Sequence, residues 1–268
     1  MQESQMKKAS LSVGIITALL IANILTISFS ITTSFQSAHG ASRDTTMKYP
    51  QPRTSMALSG NNIYLTWWDN KTGNNEVFFA SSTDNGKTFD TPINMSNAKG
   101  ASADSQIATA QNNVYVTWWD NKTGVWEVFS RASTDGGRTF ADEIMLKSVG
   151  TSPLKKLDGP TPQTIFLDTL VAASGSNEYV LWWDNKTGNS EVIFARSTDM
   201  GKTFADPINI SNSPDARSVG ARITADPQGN NVYISWIDID ENTGQKQVLF
   251  RASNDNGQTF GNAVIVNK

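Results

Sequence analysis

The sequence predicts an all-β protein: a β-propeller of about four four-stranded antiparallel blades, following an N-terminal hydrophobic helix. Three observations predict it. One stretch is written four times, from Asn62 to Phe89, Asn113 to Phe140, Glu178 to Phe204 and Asn231 to Phe260. The first Trp of each copy is Trp67, Trp118, Trp182 or Trp236, giving steps of 51, 64 and 54 residues, and a fixed period near 50 marks stacked supersecondary units. Within each copy, short apolar runs alternate with turn formers, as short antiparallel strands require.

The first copy shows the elements in order. Ile63, Leu65 and Trp67 alternate with Tyr64, Thr66 and Trp68, so both faces of this strand are apolar or aromatic. A strand buried on two sides belongs inside a stack of sheets. Asp69-Asn70-Lys71-Thr72-Gly73 ends in a Gly that can take positive φ, so the chain reverses in a hairpin. Glu76 to Ser82 is the next strand, Thr83-Asp84-Asn85-Gly86 a second tight turn, and Phe89 leads into a last strand around Ile93. Ser55 to Ser59 is the innermost strand, matched by Gln106 to Ala110 and Arg222 to Ala225. The chain ends on an outer strand, Ala263 to Val266. Four strands in about 50 residues make a propeller blade.

Composition removes several functions. The 268 residues carry a formal net charge of −3 and no basic stripe to neutralise phosphates, so no nucleic-acid partner is expected. Cysteine is absent and His39, the only histidine, precedes the repeats. A thiol nucleophile, a Ser-His-Asp triad and a His-ligated metal are therefore out of reach for the repeats, and no cofactor is expected. Residues 1–40 form a leader: Lys7 and Lys8 precede 23 uncharged residues, Ala9 to Ile31, with Ala38-His39-Gly40 as a small-residue cleavage site. Its features fit both a cleaved signal peptide and an uncleaved membrane anchor, and either leaves the repeats extracellular or at the cell surface. Residues 41–50 read as a polar linker, and 51–268 as the propeller.

The second turn reads S-T-D-N-G-K-T-F at Ser82, S-T-D-G-G-R-T-F at Ser133, S-T-D-M-G-K-T-F at Ser197 and S-N-D-N-G-Q-T-F at Ser253. Each fits S-x-D-x-G-x-T-F, at a near-constant offset after a W-W-D or W-I-D strand. Here the chain resembles the Asp-box (BNR) repeats of the sialidase-like β-propellers, over all four copies. The carboxylates of Asp84, Asp135, Asp199 and Asp255 can accept turn amides, and Gly86, Gly137, Gly201 and Gly257 permit positive φ. The resemblance likewise makes the Asp box a structural turn, on the side away from the ligand.

The resemblance places ligands on the opposite rim, which carries Asp69, Asp120, Asp184 and Asp238. Asn70, Asn121 and Asn185 on that rim, with Asn94 and Asn209, begin N-x-S/T sequons, glycosylation acceptors in an exported protein; the same letters also serve the hairpins. Repeated residues are most economically explained by the fold, so function is sought where the repeat breaks. The connection from Phe140 to Trp182 is long and includes Gly150 to Pro160, with Lys155, Lys156 and Asp158. The fourth hairpin sets Asp238, Asp240 and Asn242 at alternate positions, a set of oxygens that calcium favours, although acidic turns are common.

Sialidases need an acid/base carboxylate, a Tyr nucleophile activated by Glu, and three arginines on the substrate carboxylate. Arg53, in Pro52-Arg53-Thr54, stands near the place of the family's first arginine but not in its R-I-P motif, and Arg217 and Arg222 can add cations to the same rim. Tyr64, Tyr115, Tyr179 and Tyr233 are repeat residues, as are Glu76, Glu127 and Glu191; only Tyr49 stands outside the pattern. Six blades at the 51-residue step need 306 residues, against about 219 from Pro50 on. The expectation is a non-catalytic recognition module for carbohydrate or a surface protein. A glycoside hydrolase and a structural envelope component are the alternatives. The short array closes as a four-bladed ring or as an arc completed by self-association.

Overall fold

The computed structural model describes residues 53–149, 169–227 and 230–268. The leader, the linker with Tyr49, Pro52, and the 150–160 loop with Lys155, Lys156 and Asp158 lie outside the described residues. The described chain folds into four four-stranded antiparallel sheets, each ordered as the chain runs. Blade 1 holds β1 (Ser55–Ser59), β2 (Asn62–Asp69), β3 (Glu76–Ser82) and β4 (Ile93–Asn94). Blade 2 holds β5 (Ser102–Ala110), β6 (Asn113–Asp120), β7 (Glu127–Ser133) and β8 (Ile144–Met145). Blade 3 holds β9 (Thr169–Ser174), β10 (Asn177–Asp184), β11 (Glu191–Ser197) and β12 (Ile208–Asn209). Blade 4 holds β13 (Ala216–Ala225), β14 (Val232–Asp240), β15 (Lys246–Ser253) and β16 (Val264–Ile265).

The two-faced strands find the burial that their composition demands. Tyr64, Val77, Phe79 and Met95 of blade 1 pack against Ile107, Val116, Trp118 and Phe129 of blade 2. Two further clusters of the same kind join blade 2 to blade 3 and blade 3 to blade 4. The inner strands adjoin in chain order, β1 to β5, β5 to β9 and β9 to β13. β6 is buried along its whole length, whereas β1 alternates half-buried with exposed residues.

Two inner strands run longer than the sequence predicts. β5 begins at Ser102 and β13 at Ala216, each continuing through a register shift, between Ala103 and Gln106 and between Val219 and Arg222. Asp104 at φ 50° and Gly220 at φ 64° lie in these bulges. A bulge lets a strand resume pairing after an extra residue, which the alternation of side chains conceals. The Asp104 carboxylate accepts the Thr169 amide at 2.8 Å, and its carbonyl accepts the Thr169 hydroxyl at 3.0 Å, tying β5 to β9.

Candidate functional site

Register defines two rims. Ser59 pairs with Asn62 at the β1–β2 turn, so the S-x-D-x-G-x-T-F turns share that end; Asp69 pairs with Glu76 at the opposite end. On the first rim the four octapeptides close identically. The Ser hydroxyls of 82, 133, 197 and 253 donate to the Asp Oδ1 two residues on, at 2.7–2.8 Å. Each also accepts the Gly amide four residues on, at 2.9–3.0 Å. The other Asp oxygen accepts the Thr hydroxyl at 2.6–2.7 Å. Bonds from Thr88, Thr139 and Thr259 hold Asp84, Asp135 and Asp255 down to about 2, and at Asp199 the same bonds overcome an opposing desolvation to reach about 2. Carboxylates so engaged are turn braces.

The opposite rim repeats a second lock. Trp67, Trp118, Trp182 and Trp236 each donate the indole N–H to the Asp two residues on, at 3.3, 3.4, 3.4 and 2.9 Å. In the first three copies that Asp also accepts the Lys amide two residues further along. Asp120 takes the Ser102 hydroxyl at 2.9 Å, Asp184 takes that of Ser148, and Asp238 takes those of Ser218 and Ser213 at 2.7 and 2.5 Å. These three carboxylates are buried and saturated. Asp69 is the exception, a third exposed, with Lys71 Nζ at 3.3 Å. Partial burial works against its charge, but the Lys71 amide, the Trp67 indole and the Lys71 ammonium together hold it below the usual carboxylate range. The hairpin lysines also cap aromatic stacks: Lys71 sits 4.0 Å over Phe78 and Lys122 4.1 Å over Phe129.

The strand-start glutamates are engaged as well. Glu76 accepts Thr72 and Asn94, Glu127 pairs with Lys186 of the next blade at 2.9 Å, and Glu191 accepts Ser211 and the Ser213 amide. Tyr64, Tyr179 and Tyr233 stack on Phe79, Phe194 and Phe250 inside their sheets. Arg53 and Arg217 stand at the rim ends of the inner strands of blades 1 and 4, while Arg222 lies beyond the bulge and donates to the Ala221 carbonyl at 2.7 Å.

In the fourth hairpin, Asp238 faces Ser213, Ser218 and Trp236, whereas Asp240 accepts the Asn242 and Thr243 amides at 2.8 Å each. Those amides hold Asp240 below its ordinary range. The two carboxylates close different structures, and among the described residues no group of three or more His, Cys, Asp or Glu is arranged to hold a metal ion. Of the sequon residues Asn70 is exposed and Asn185 is buried. Asn94, Asn121 and Asn209 accept the amides of Asn97, Ala101 and Asn212, so their side chains serve the turns.

One rim feature escaped the sequence reading. Asn74 and Asn189 donate to carbonyls of the following connection, Ala98 and Gly100 in blade 1, Ser213 and Ala216 in blade 3. In blade 2 this position is Val125, exposed, followed by half-buried Trp126. The signal was available: T-G-V-W-E stands against T-G-N-N-E and T-G-N-S-E, directly before the long connection.

No family model matches the chain, and no curated protein matches it. Solved structures do. An α-L-arabinanase of Penicillium chrysogenum superposes with a TM-score of 0.56 at 15% identity, over 81% of this chain and 68% of that one. The intramolecular trans-sialidase of Ruminococcus gnavus gives 0.50 at 12%, over 82% and 72%. The fold is a β-propeller like that of these sialidase and arabinanase structures. The GH93 α-L-arabinofuranosidase of Fusarium graminearum gives 0.53 at 14%, over 79% and 64%, so several glycosidases share the propeller with this chain. At these identities the likeness concerns the fold, and an activity must be argued from the site.

Proposed function

We propose that this sialidase-like propeller is a non-catalytic recognition module that binds carbohydrate, or a glycosylated surface protein, on the rim bearing the W-x-D hairpins. The observation that carries this reading is the commitment of the rim carboxylates. Glycoside hydrolysis needs free carboxyl groups to exchange protons, as an acid/base pair in most glycosidases or beside a Glu-activated Tyr in sialidases. Asp120, Asp184 and Asp238 instead brace Trp indoles and Ser hydroxyls, and Glu76, Glu127 and Glu191 hold hairpins and a neighbouring blade. The rim that remains offers Asp69 with Lys71, Arg217, and the apolar Val125–Trp126 tip, a mixture of hydrogen-bonding groups and aromatic surface that suits a sugar ring. The lysine-led leader of 1–40 supports a location outside the cytoplasm.

Hydrolysis is the second reading, favoured by the arabinanase and trans-sialidase among the similar structures. Full-length protein incubated with fluorogenic sialosides and α-L-arabinofuranosides separates the two. The expected result is no release above buffer, with saturable binding on a glycan array that Val125→Asp and Asp69→Ala each weaken at least tenfold. Sugar release abolished by Arg53→Ala would establish the hydrolase. Neither release nor binding would leave a structural envelope role.

A further inference from the structure

We infer that the fourth blade of one chain packs on the first blade of a second chain, head to tail, through the contact that already joins the blades within each chain. The internal contact has two halves. The leading blade supplies a Tyr stacked on a Phe, Tyr64 on Phe79 at 6.1 Å and Tyr179 on Phe194 at 6.2 Å. The following blade supplies the Gly and Phe of its octapeptide. A Cβ on Gly137 would lie 2.7 Å from Phe79, and one on Gly257 would lie 2.7 Å from Phe194, so the two surfaces touch closely. Phe140 meets Phe79 edge-on at 4.8 Å, and Phe260 meets Phe194 at 5.0 Å. Between blades 2 and 3 a polar variant replaces it: Ser130 stands where the Phe would be and donates to Glu178 at 2.6 Å.

Both halves recur, uncovered, at the two ends of the array. Blade 4 stacks Tyr233 on Phe250 at 6.1 Å, yet Tyr233 is 37% exposed while its three counterparts are buried. Val266 is 63% exposed, although Met95, Leu146 and Ile210 at the same position are buried. Blade 1 leaves Phe89 42% exposed and Gly86 half-buried against only Ile63 of its own blade, whereas Gly137, Gly201 and Gly257 are buried against a neighbouring blade. Met56 is 62% exposed, whereas Ile107 at its position in blade 2 is buried. With Leu58, these residues account for most of the large exposed apolar side chains among the described residues, and they fall on two faces of opposite kind. Among the described residues β13 and β1 lack the packing that joins consecutive inner strands, and both faces are left exposed. A second copy carries the complement of each. Such a contact is heterologous: it grows until the rotation closes or a spoilt face stops it.

The test uses the full chain in mild detergent and multi-angle light scattering across concentration. Wild type is expected to contain two or more chains per particle. Phe89→Asp spoils only the blade 1 face and Val266→Asp only the blade 4 face, and each should weaken association at least tenfold. Mixed in equal amounts, the two variants should form a species of exactly two chains and nothing larger, because one intact face remains on each. Met56→Lys with Tyr233→Lys serves as an independent pair, and unchanged circular dichroism confirms folding. A wild type that stays monomeric overturns the inference, whether the chain closes on itself or residues 1–52 cover the faces. Variants that assemble like wild type, as association through the leader would produce, overturn it equally, as does a mixture that stays monomeric.

Discussion

Glu178→Gln should abolish most of the dependence of stability on pH between 5 and 8. Glu178 occupies the position of Ile63, Val114 and Val232, fully buried between blades 2 and 3. Its Oε1 accepts the Ser130 hydroxyl, and its Oε2 has no hydrogen-bond partner among the described residues. Desolvation therefore pushes the carboxyl up from its ordinary 4.5 to about 8, with the Ser130 bond opposing only in part. The native state holds this proton more tightly than the unfolded chain does. Its contribution is complete below pH 4.5 and is lost as the pH rises towards 8, with a limiting slope of about 1.4 kcal/mol per pH unit. From pH 5 to 8 that amounts to about 4 kcal/mol, or roughly 8–16 °C in melting temperature for a domain of this size. Gln keeps the acceptor for Ser130 and cannot ionise. Thermal unfolding by circular dichroism at half-unit pH intervals should show wild type falling across the range and Glu178→Gln nearly flat. Equal slopes in the two proteins would refute the assignment of a buried, protonated carboxyl.

Acid should act through the opposite group. Asp84, Asp135, Asp199 and Asp255 are held near 2, so the stability they lend is present above the unfolded value near 4 and is lost as pH falls towards 2; Asp135→Asn should shrink that loss in an acid titration followed by tryptophan fluorescence. Gly137→Ala places a methyl 2.7 Å from Phe79 at φ 80° and should cost about 2–4 kcal/mol in urea unfolding, whereas Gly86→Ala at φ 81° meets only Ile63 of its own blade and should cost about half as much. Asp120→Ala should cost about 2–4 kcal/mol by stranding the Trp118 indole, the Ser102 hydroxyl and the Lys122 amide, against under about 1 kcal/mol for partly exposed Asp69→Ala, by the same measurement.

The sequence by itself determined the repeat, the four strands of a blade and both kinds of turn, because these rest on contacts between near neighbours. Alternation from Ile63 to Trp68 sets a strand's two faces, and a Ser, an Asp and a Gly within five residues close a turn with bonds that never leave it. Tertiary structure alone decided what those residues face. The W-x-D aspartates look in sequence like a ring of rim acids; Asp120 and Asp238 become braces because Ser102 and Ser218 arrive from the adjoining inner strands. The bulges of β5 and β13 were hidden because each restores the alternation that it interrupts. Glu178 reads as an ordinary strand residue until Ser130, 48 positions earlier, is brought against it in a fully buried site. The repeat itself made all four blades look equivalent. Stacking made them unequal, because a row of four has two ends, and the same Tyr-on-Phe pair that is buried as Tyr64 on Phe79 is left open as Tyr233 on Phe250.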